Sequence, residues 1–347
     1  MPITLPRNAQ LWLPGYIAGR LAARRVPSGG RVWLTIADHW EPYWQHPSDE
    51  VAASRVAVWM KHWPQIARRH ADSRGRPPQY TFFYPQEEYR PHILDSLAEL
   101  KRAGIADVDV HIHHDGEGQQ NFLDRMNGFI ETLVNRHGLL RVSHGRPVFG
   151  FIHGNWALDN SRPDGRYCGL NNEITLLRDL GCYADFTMPS AGSPTQSRTV
   201  NTIYWVTDDP LRPRSYDHGV AVKSRSHDHG VGDLLMIPGP LGLRWKGRFV
   251  PRTETGELAC YDLPTAYRVE RWLDLAPRIG GDIFIKLFAH GAQERHSSPL
   301  LLNGGLDRLF TLLEESCRRR AYRLHYASAW EMRQAVDAAV RGDETTC

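Results

Sequence analysis

Cysteine is scarce in this chain of 347 residues. The five cysteines lie far apart, at positions 168, 182, 260, 317 and 347, and no two of them form a CxxC pair. An odd number of scattered cysteines predicts neither a disulfide framework nor a zinc site built from thiolates. We therefore expect reduced thiols, as in a cytoplasmic protein.

Long hydrophobic runs, a strong charge excess and a dinucleotide motif are also missing. No stretch has the length and apolar character of a membrane span, and the N-terminal segment lacks the apolar core of a signal peptide. Lysine and arginine number 42 against 39 acidic residues, for a net charge of +3. A balance this close does not favour nucleic-acid binding. No GxGxxG follows the first predicted strand, which argues against a dinucleotide-binding fold.

Short strand-like runs alternate with amphipathic helical runs along most of the chain. This alternation predicts an α/β protein with a parallel sheet covered by helices. About seven strand–helix units in one run favour a distorted (β/α) barrel over an open sheet. Between about 200 and 262 the pattern changes to short strands and turn-rich loops, which predicts a β-rich insertion. We expect residues 1–30 to be an N-terminal extension and residues 31–341 to form one barrel domain.

Polar side chains of the kinds that bind metals or move protons follow the predicted strands. In a barrel, functional residues collect at the carboxyl ends of the strands, so residues from different strands share one pocket. The residues found there are Asp38, His39, Trp40 and Glu41 after the first strand, His111, His113 and His114 after the third, His153, Asn155 and Trp156 after the fourth, then Asp185 and finally His290.

The cluster of histidines in "HIHHD" predicts a site for a divalent metal, with Asp38 as the carboxylate ligand. Imidazole and carboxylate suit zinc first, with nickel, cobalt and iron as alternatives. His111 and His113 share a strand face because side chains alternate, and His114 is kept as the substitute ligand. The competing interpretation is that these histidines bind carboxylates or sugar hydroxyls without a metal.

The remaining residues at the strand ends are assigned to catalysis and to substrate contact. His290 follows the strand-like run "DIFIKLFA", a position that suits a general acid. Glu41 is the carboxylate nearest to Asp38 in sequence and is the candidate base if Asp38 binds metal. Aromatic faces beside hydrogen-bonding groups suit a sugar ring. The predicted substrate contacts are His39, Trp40, His153, Asn155, Trp156 and Asp185.

These motifs resemble those of the polysaccharide deacetylase (NodB-homology) superfamily, whose first strand ends in Thr-Phe-Asp-Asp-Gly-Pro. The corresponding segment here is "TIADHWEP". A direct match places Ala37 on the catalytic base and Asp38 on the metal ligand. A match shifted by one residue makes Asp38 the base and His39 the ligand.

The other motifs of the superfamily are approximate in this chain. "HIHHD" resembles its two-histidine motif, and "FIHGNWAL" replaces its arginine motif. Asp185 in "CYADFTMPS" corresponds to its fourth, aspartate-containing motif, and "FIKLFAH" resembles its late Leu-x-His, which makes His290 the general acid.

The resemblance implies a metal-dependent hydrolase that removes N-acetyl or related acyl groups from a carbohydrate or polysaccharide precursor. Two other functions remain open. One is a glycoside hydrolase that uses two carboxylates, such as Glu41 with Glu88 or Asp185. The other is an inactive carbohydrate-binding barrel, which the alanine at position 37 favours. The sequence leaves the identity of the sugar, the acyl group and the oligomeric state open.

Overall fold

The structure is a computed structural model that describes residues 5–22, 28–225, 232–246 and 250–342. Its α-helices are α1 (Ala9–Ala22), α2 (Asp49–Ala67), α3 (Pro91–Arg102), α4 (Gln119–Asn135), α5 (Glu173–Leu180), α6 (Ala266–Leu275), α7 (Glu294–Ser297), α8 (Gly305–Arg319) and α9 (Ala329–Arg341). Its strands up to residue 190 are β1 (Arg31–His39), β2 (Tyr80–Pro85), β3 (Ala106–Ile112), β4 (Arg141–Ser143), β5 (Arg146–His153) and β6 (Cys182–Asp185). The later strands are β7 (Tyr204–Val206), β8 (Val220–Ala221), β9 (Leu234–Met236), β10 (Gly242–Lys246), β11 (Val250–Glu254), β12 (Glu257–Leu258), β13 (Arg278–Ile279), β14 (Asp282–Ala289) and β15 (Arg323–Tyr326).

The main sheet is mostly parallel, as the strand–helix alternation predicts. β1 lies between β14 on one side and β15 and β2 on the other. From β2 the sheet continues in parallel through β3, β5, β6 and β9, and then through the antiparallel strands β7 and β8. Since the strands from β14 to β6 run in one direction, their carboxyl ends meet at one edge of the sheet.

The side chains of β1 alternate between two buried faces of the sheet. Val32, Leu34 and Ile36 pack with residues of α2, α3, α4 and α8, and we call their side the outer face. Trp33 and Ala37 pack with residues of β14 and α9, and we call their side the inner face. A step of one residue along β1 therefore moves a side chain from one apolar environment to the other.

The region near residues 200–262 consists of short strands and turns, as the sequence pattern predicts, and β7, β8 and β9 from this region join the main sheet. Between α5 and α6 the described residues form only short strands, turns and one 3-10 turn. β10 and β11 pair as a hairpin apart from the main sheet. Within the predicted N-terminal extension, α1 buries Trp12 against Ala191, Val200 and Leu241, the last two of which belong to the region of short strands.

Closure of the sheet into a barrel stays a prediction. Among the described residues no strand pairing joins β8 at one edge to β12 at the other. None of the helices in these ranges combines the length and the apolar character that crossing a bilayer requires.

Candidate active site

Three buried side chains come together at the carboxyl ends of β1 and β3. His39 ends β1, Glu41 follows two residues later, and His111 is the penultimate residue of β3. One ligand atom from each lies within 4.8 Å of those of the other two. We call these residues the open group, because two of them also line a cleft.

The free nitrogen atoms of the open group face each other and a carboxylate. Nδ1 of His111 donates to the carbonyl oxygen of Ile152 at 2.8 Å, which leaves the lone pair of a neutral ring on Nε2. That Nε2 lies 3.4 Å from Oε1 of Glu41. Nε2 of His39 and Nε2 of His111 are both buried without a hydrogen-bond partner among the described residues. Unpartnered buried nitrogens beside a carboxylate form a donor set that a cation would satisfy.

The local electrostatics keep His39 and Glu41 in the protonation states that metal ligands need. Burial, together with the neighbouring His290 and His111, holds the pKa of His39 well below its usual range. Burial opposes ionisation of Glu41, but the neighbouring His111 and His113 hold the pKa of its carboxyl well below the usual range. A neutral imidazole and an ionised carboxylate are the forms that coordinate a divalent cation.

His113, a predicted ligand, lies beside the open group between two carboxylates. Its Nδ1 is 2.5 Å from Oε1 of Glu87, and its Nε2 is 3.5 Å from Oε1 of Glu41. Burial opposes the charge of the ring, but Glu41 and Glu87 raise the pKa of His113 to about 10. His113 is therefore arranged as a cationic partner of two acids, and it belongs to the wall of the cleft.

The cleft above the open group has a volume of about 860 Å³. His290, which follows β14, stacks on His39 with the ring centroids 4.7 Å apart. Burial lowers the pKa of His290. The walls combine aromatic and polar side chains, among them Tyr43, Trp44, Glu87, Glu88, Asn155, Trp156 and Tyr261. Asn155 and Trp156, two of the predicted substrate contacts, thus line the cleft.

The structure does not bring Asp38 together with the histidines, as the sequence analysis expected. Its side chain lies on the outer face, where the carboxylate accepts hydrogen bonds from the Tyr80 hydroxyl and from the Gly291 amide at 2.9 and 3.0 Å. Burial raises the pKa of Asp38 to about 7, although both hydrogen bonds oppose the rise. A Cβ at position 291 would collide with Asp38, so the chain after β14 approaches β1 closely only because residue 291 is glycine. His39, the ligand of the shifted motif match, occupies the inner face instead.

His114 and His153 belong to a second group rather than to the cleft. Their ligand atoms lie within 4.8 Å of one another and of ligand atoms of Cys168 and Glu173, and all four side chains are buried. His114 therefore does not substitute for His111 in the open group. His153, which was expected to contact substrate, is fully buried and does not line the cleft.

Two further predicted substrate contacts are buried away from the cleft. Trp40 is fully buried on the outer face and packs edge-on against Trp59 and Phe82. Asp185 is 1% exposed and accepts hydrogen bonds from the amide and hydroxyl of Thr187. Neither side chain lines the cleft, because each points into the packed interior of the protein.

The sequence analysis assigned no role to Glu87, Cys168 or Glu173, and it assigned Glu88 a role only in the glycoside hydrolase alternative. Glu87 and Glu88 directly follow β2, so the strand-end position that selected the histidines would also have selected them. Burial raises the pKa of Glu88 to about 8, which keeps this carboxyl largely protonated beside the cleft. Cys168 lies in the loop after β5 and Glu173 begins α5, where no local pattern marks them.

No protein-family model matches this chain, and no curated protein sequence matches it either. The resemblance to polysaccharide deacetylases rests on the motifs quoted above, and it stays a prediction.

Proposed function

We propose that this protein is a metal-dependent hydrolase that removes an N-acetyl or related acyl group from a carbohydrate or a polysaccharide precursor. The observation that carries the proposal is the open group of His39, Glu41 and His111 beside an aromatic-walled cleft. A site at the carboxyl ends of parallel strands is where α/β enzymes place their chemistry.

The donor set of the open group fits a divalent metal. Two imidazoles and one carboxylate match the ligands of catalytic zinc sites and leave coordination positions for water. Zinc is the first candidate, and nickel, cobalt and iron accept the same ligands. When bound, such a metal lowers the pKa of a coordinated water and polarises the carbonyl that is attacked.

The side chains around the open group supply the remaining steps of amide hydrolysis. His290 stacks on His39, close enough to the open group to take the proton that the attacking water loses. As the C–N bond breaks, His290 returns this proton to the amine nitrogen, which is the acid role predicted from the sequence. Glu41 contributes a ligand oxygen in this arrangement rather than acting as the base.

The shape of the cleft supports an extended carbohydrate as substrate. A second cavity of about 1020 Å³ adjoins the first and shares Asn155, Trp156, Glu257 and Tyr261 with it. Aromatic rings beside carboxylates and amides provide both a stacking surface for sugar rings and partners for their hydroxyl groups. A trough of this composition suits several linked sugars better than a single small metabolite.

The proposal includes a barrel fold, which two contacts between distant strands support. Nζ of Lys286 on β14 donates to the carbonyl oxygen of Met188, shortly after β6, at 2.9 Å. A Cβ at Gly239, which follows β9, would lie 2.6 Å from the carbonyl oxygen of Lys286. In a flat sheet five strands would separate β14 from β9, a distance of roughly 29 Å at the usual strand spacing. The two contacts bring the residues that follow β6 and β9 close to β14, which supports a curved sheet.

The proposal is tested by metal analysis and by acetate release from N-acetylglucosamine oligomers. We expect the wild-type protein to release acetate, and we expect His111→Ala to lose about one metal ion per chain together with nearly all turnover. His92→Ala, which changes an exposed histidine on α3, is the control and keeps both properties.

Three results would contradict the proposal. A wild-type protein that binds neither zinc, nickel nor cobalt would show that the open group is not a metal site. New reducing ends without acetate would identify a glycoside hydrolase. Binding of the oligomers without any reaction would identify the inactive carbohydrate-binding barrel.

A further inference from the structure

The second group of ligand-type side chains lies apart from the cleft. His114 follows β3, His153 ends β5, Cys168 lies in the loop between β5 and α5, and Glu173 opens α5. None of the four lines the cleft, and Cys168, His153 and Glu173 are each 0% exposed. Four ligand side chains from four separate segments thus converge in the buried interior, with their ligand atoms within 4.8 Å of one another.

The carboxylate of Glu173 lies at the centre of this group. Its Oε1 is 3.0 Å from Nε2 of His114 and 3.3 Å from Nε2 of His153. Its Oε2 is 3.4 Å from Sγ of Cys168 and accepts a hydrogen bond from the Asp159 amide at 2.7 Å. Burial opposes the charge of Glu173, but His153 and His114 hold the pKa of its carboxyl below the usual range.

Three of the four ligands, His153, Cys168 and Glu173, are held by a hydrogen bond from outside the group, whereas Nδ1 of His114 has no partner among the described residues. Nδ1 of His153 lies 2.5 Å from the Gly154 carbonyl oxygen, and its Nε2, which faces Glu173, has no hydrogen-bond partner among the described residues. Sγ of Cys168 accepts from the backbone amides of Asn160 at 3.2 Å and Leu170 at 3.4 Å. Backbone amides aimed at a sulfur, and a carbonyl that holds the far nitrogen of an imidazole, are the outer contacts of metal ligands.

We propose that His114, His153, Cys168 and Glu173 bind a second divalent cation of the zinc class, in a closed structural site. Four protein ligands without access to the cleft leave no position for water or substrate, which distinguishes a structural zinc site from a catalytic one. This inference goes beyond the proposed function and does not depend on it.

The charges of the four ligands support a dication. Metal binding displaces the proton of the Cys168 thiol to solvent, so the site would combine one thiolate, one carboxylate and two neutral imidazoles. These two negative charges neutralise a divalent cation, and the buried group becomes neutral as a whole. Without a cation, an ionised carboxylate and an unpartnered imidazole nitrogen would remain in an apolar interior, which is unfavourable.

The site would fix a long irregular loop that forms part of the cleft wall. Residues 154–172 connect β5 to α5 and include Asn155 and Trp156, both with left-handed backbone conformations, at φ of 55° and 56°. Because His153 precedes this loop and Glu173 follows it, one bound ion would hold both of its ends and, through Cys168, its interior. The ion would thereby set the position of Asn155 and Trp156.

Replacement of the native metal by cobalt tests this site directly. Co²⁺ bound to a thiolate produces a sulfur-to-metal charge-transfer absorption in the near ultraviolet, which a site of only histidines and carboxylates does not produce. We expect this band in the wild-type full chain after cobalt loading, and we expect Cys168→Ser to lack it. Cys317→Ser, which changes another buried cysteine, on α8, is the matched control and keeps the band.

Metal counting and thermal unfolding separate this site from the open group. We expect Cys168→Ser and Glu173→Gln each to lose about one ion per chain and to unfold at lower temperature, while His111→Ala keeps the cobalt–sulfur band. A soluble wild-type protein without that band after cobalt loading would overturn the proposal. So would a band that survives in Cys168→Ser. Both results leave the proposed hydrolase function intact, because that function depends on the open group.

Discussion

Adjacent residues at the end of β1 have different surroundings because their side chains point to opposite faces of the sheet. Asp38 lies on the outer face and is held by Tyr80 and Gly291. His39 lies on the inner face and stacks on His290 beside the cleft. Of the two motif matches, only the one shifted by one residue takes its metal ligand, His39, from the group that could hold a metal ion.

This difference predicts opposite metal contents for two conservative substitutions. Asp38→Asn should keep its metal, because the carboxamide can still accept from the Gly291 amide and donate to the Tyr80 hydroxyl. Glu41→Gln should lose about one ion per chain, because an amide is a poor replacement for a buried anionic ligand. Elemental analysis of both purified variants is the measurement. If Asp38→Asn lost its metal while Glu41→Gln kept it, Asp38 and not Glu41 would be the metal ligand.

At the end of β3, successive histidines also serve different sites. His111 belongs to the open group, His113 pairs with Glu41 and Glu87, and His114 contacts Glu173. His111 and His114 thus contribute to two separate groups, and His113 lies beside the first of them. A single cluster in the sequence becomes two candidate metal sites because the chain turns as it leaves the strand.

The contact between α2 and α8 includes a histidine that pairs with two carboxylates. His70 follows α2, and its ring nitrogens lie 3.2 Å from Oε1 of Glu314 and 3.1 Å from Oδ1 of Asp307, both on α8. Burial opposes the charge of this ring, but Glu314 and Asp307 raise the pKa of His70 above its usual value. The protonated form therefore stabilises the packing of these two helices.

The raised pKa of His70 predicts a stability effect that depends on pH. The folded state binds the proton more tightly than the unfolded state, so the contribution is complete below about pH 6.5 and is lost as the pH rises through the folded pKa. We expect His70→Gln to lower the free energy of unfolding by on the order of 1 kcal/mol at pH 6 and by less at pH 9. Denaturant unfolding at both pH values measures this. The exposed His92→Gln on α3 is the control, and an equal loss at both pH values would contradict the prediction.

The molecule as a whole presents two adjoining cavities, with Tyr261 at their junction. Tyr261 lines both cavities, is 64% exposed, and its hydroxyl donates to Glu257 at 2.6 Å. An exposed aromatic ring at such a junction can stack on a sugar that extends from the first cavity into the second. If the proposed function holds, we expect the ring to matter for long substrates and not for the reaction at the open group.

Tyr261→Ala should consequently distinguish long substrates from short ones. We expect KM for N-acetylglucosamine oligomers to rise roughly five-fold, equivalent to about 1 kcal/mol, with kcat unchanged. The KM for a single N-acetylated sugar should change little. Tyr261→Phe keeps the ring, and Tyr267→Ala removes an exposed ring outside both cavities. Both controls should behave as wild type, and an equal rise for short and long substrates would refute the extended site.

The elements of the fold could be predicted from the sequence because their signals are local. Apolar periodicity and helix caps act within ten to twenty neighbouring residues, as in the capping box from Ser328 to Glu331 that begins α9. The alternation of strands and helices predicted the parallel sheet. The positions at which the strands end predicted the edge of the sheet where the histidines lie. Side-chain alternation also selected His111, which lies in the open group, and the same rule applied to β1 would have separated Asp38 from His39.

The partners of each functional side chain were decided by tertiary contacts between distant segments. Glu41 meets His111 across 70 positions of sequence, and Cys168 meets His114 only because the loop after β5 folds back over the end of β3. No local pattern marks such meetings, since they depend on how strands curve and how a loop is held at both ends. The sequence alone therefore determines which residues stand at the functional edge of the sheet. The packing of inner and outer faces decides which of them become neighbours, because a one-residue step along a strand reverses the direction of a side chain.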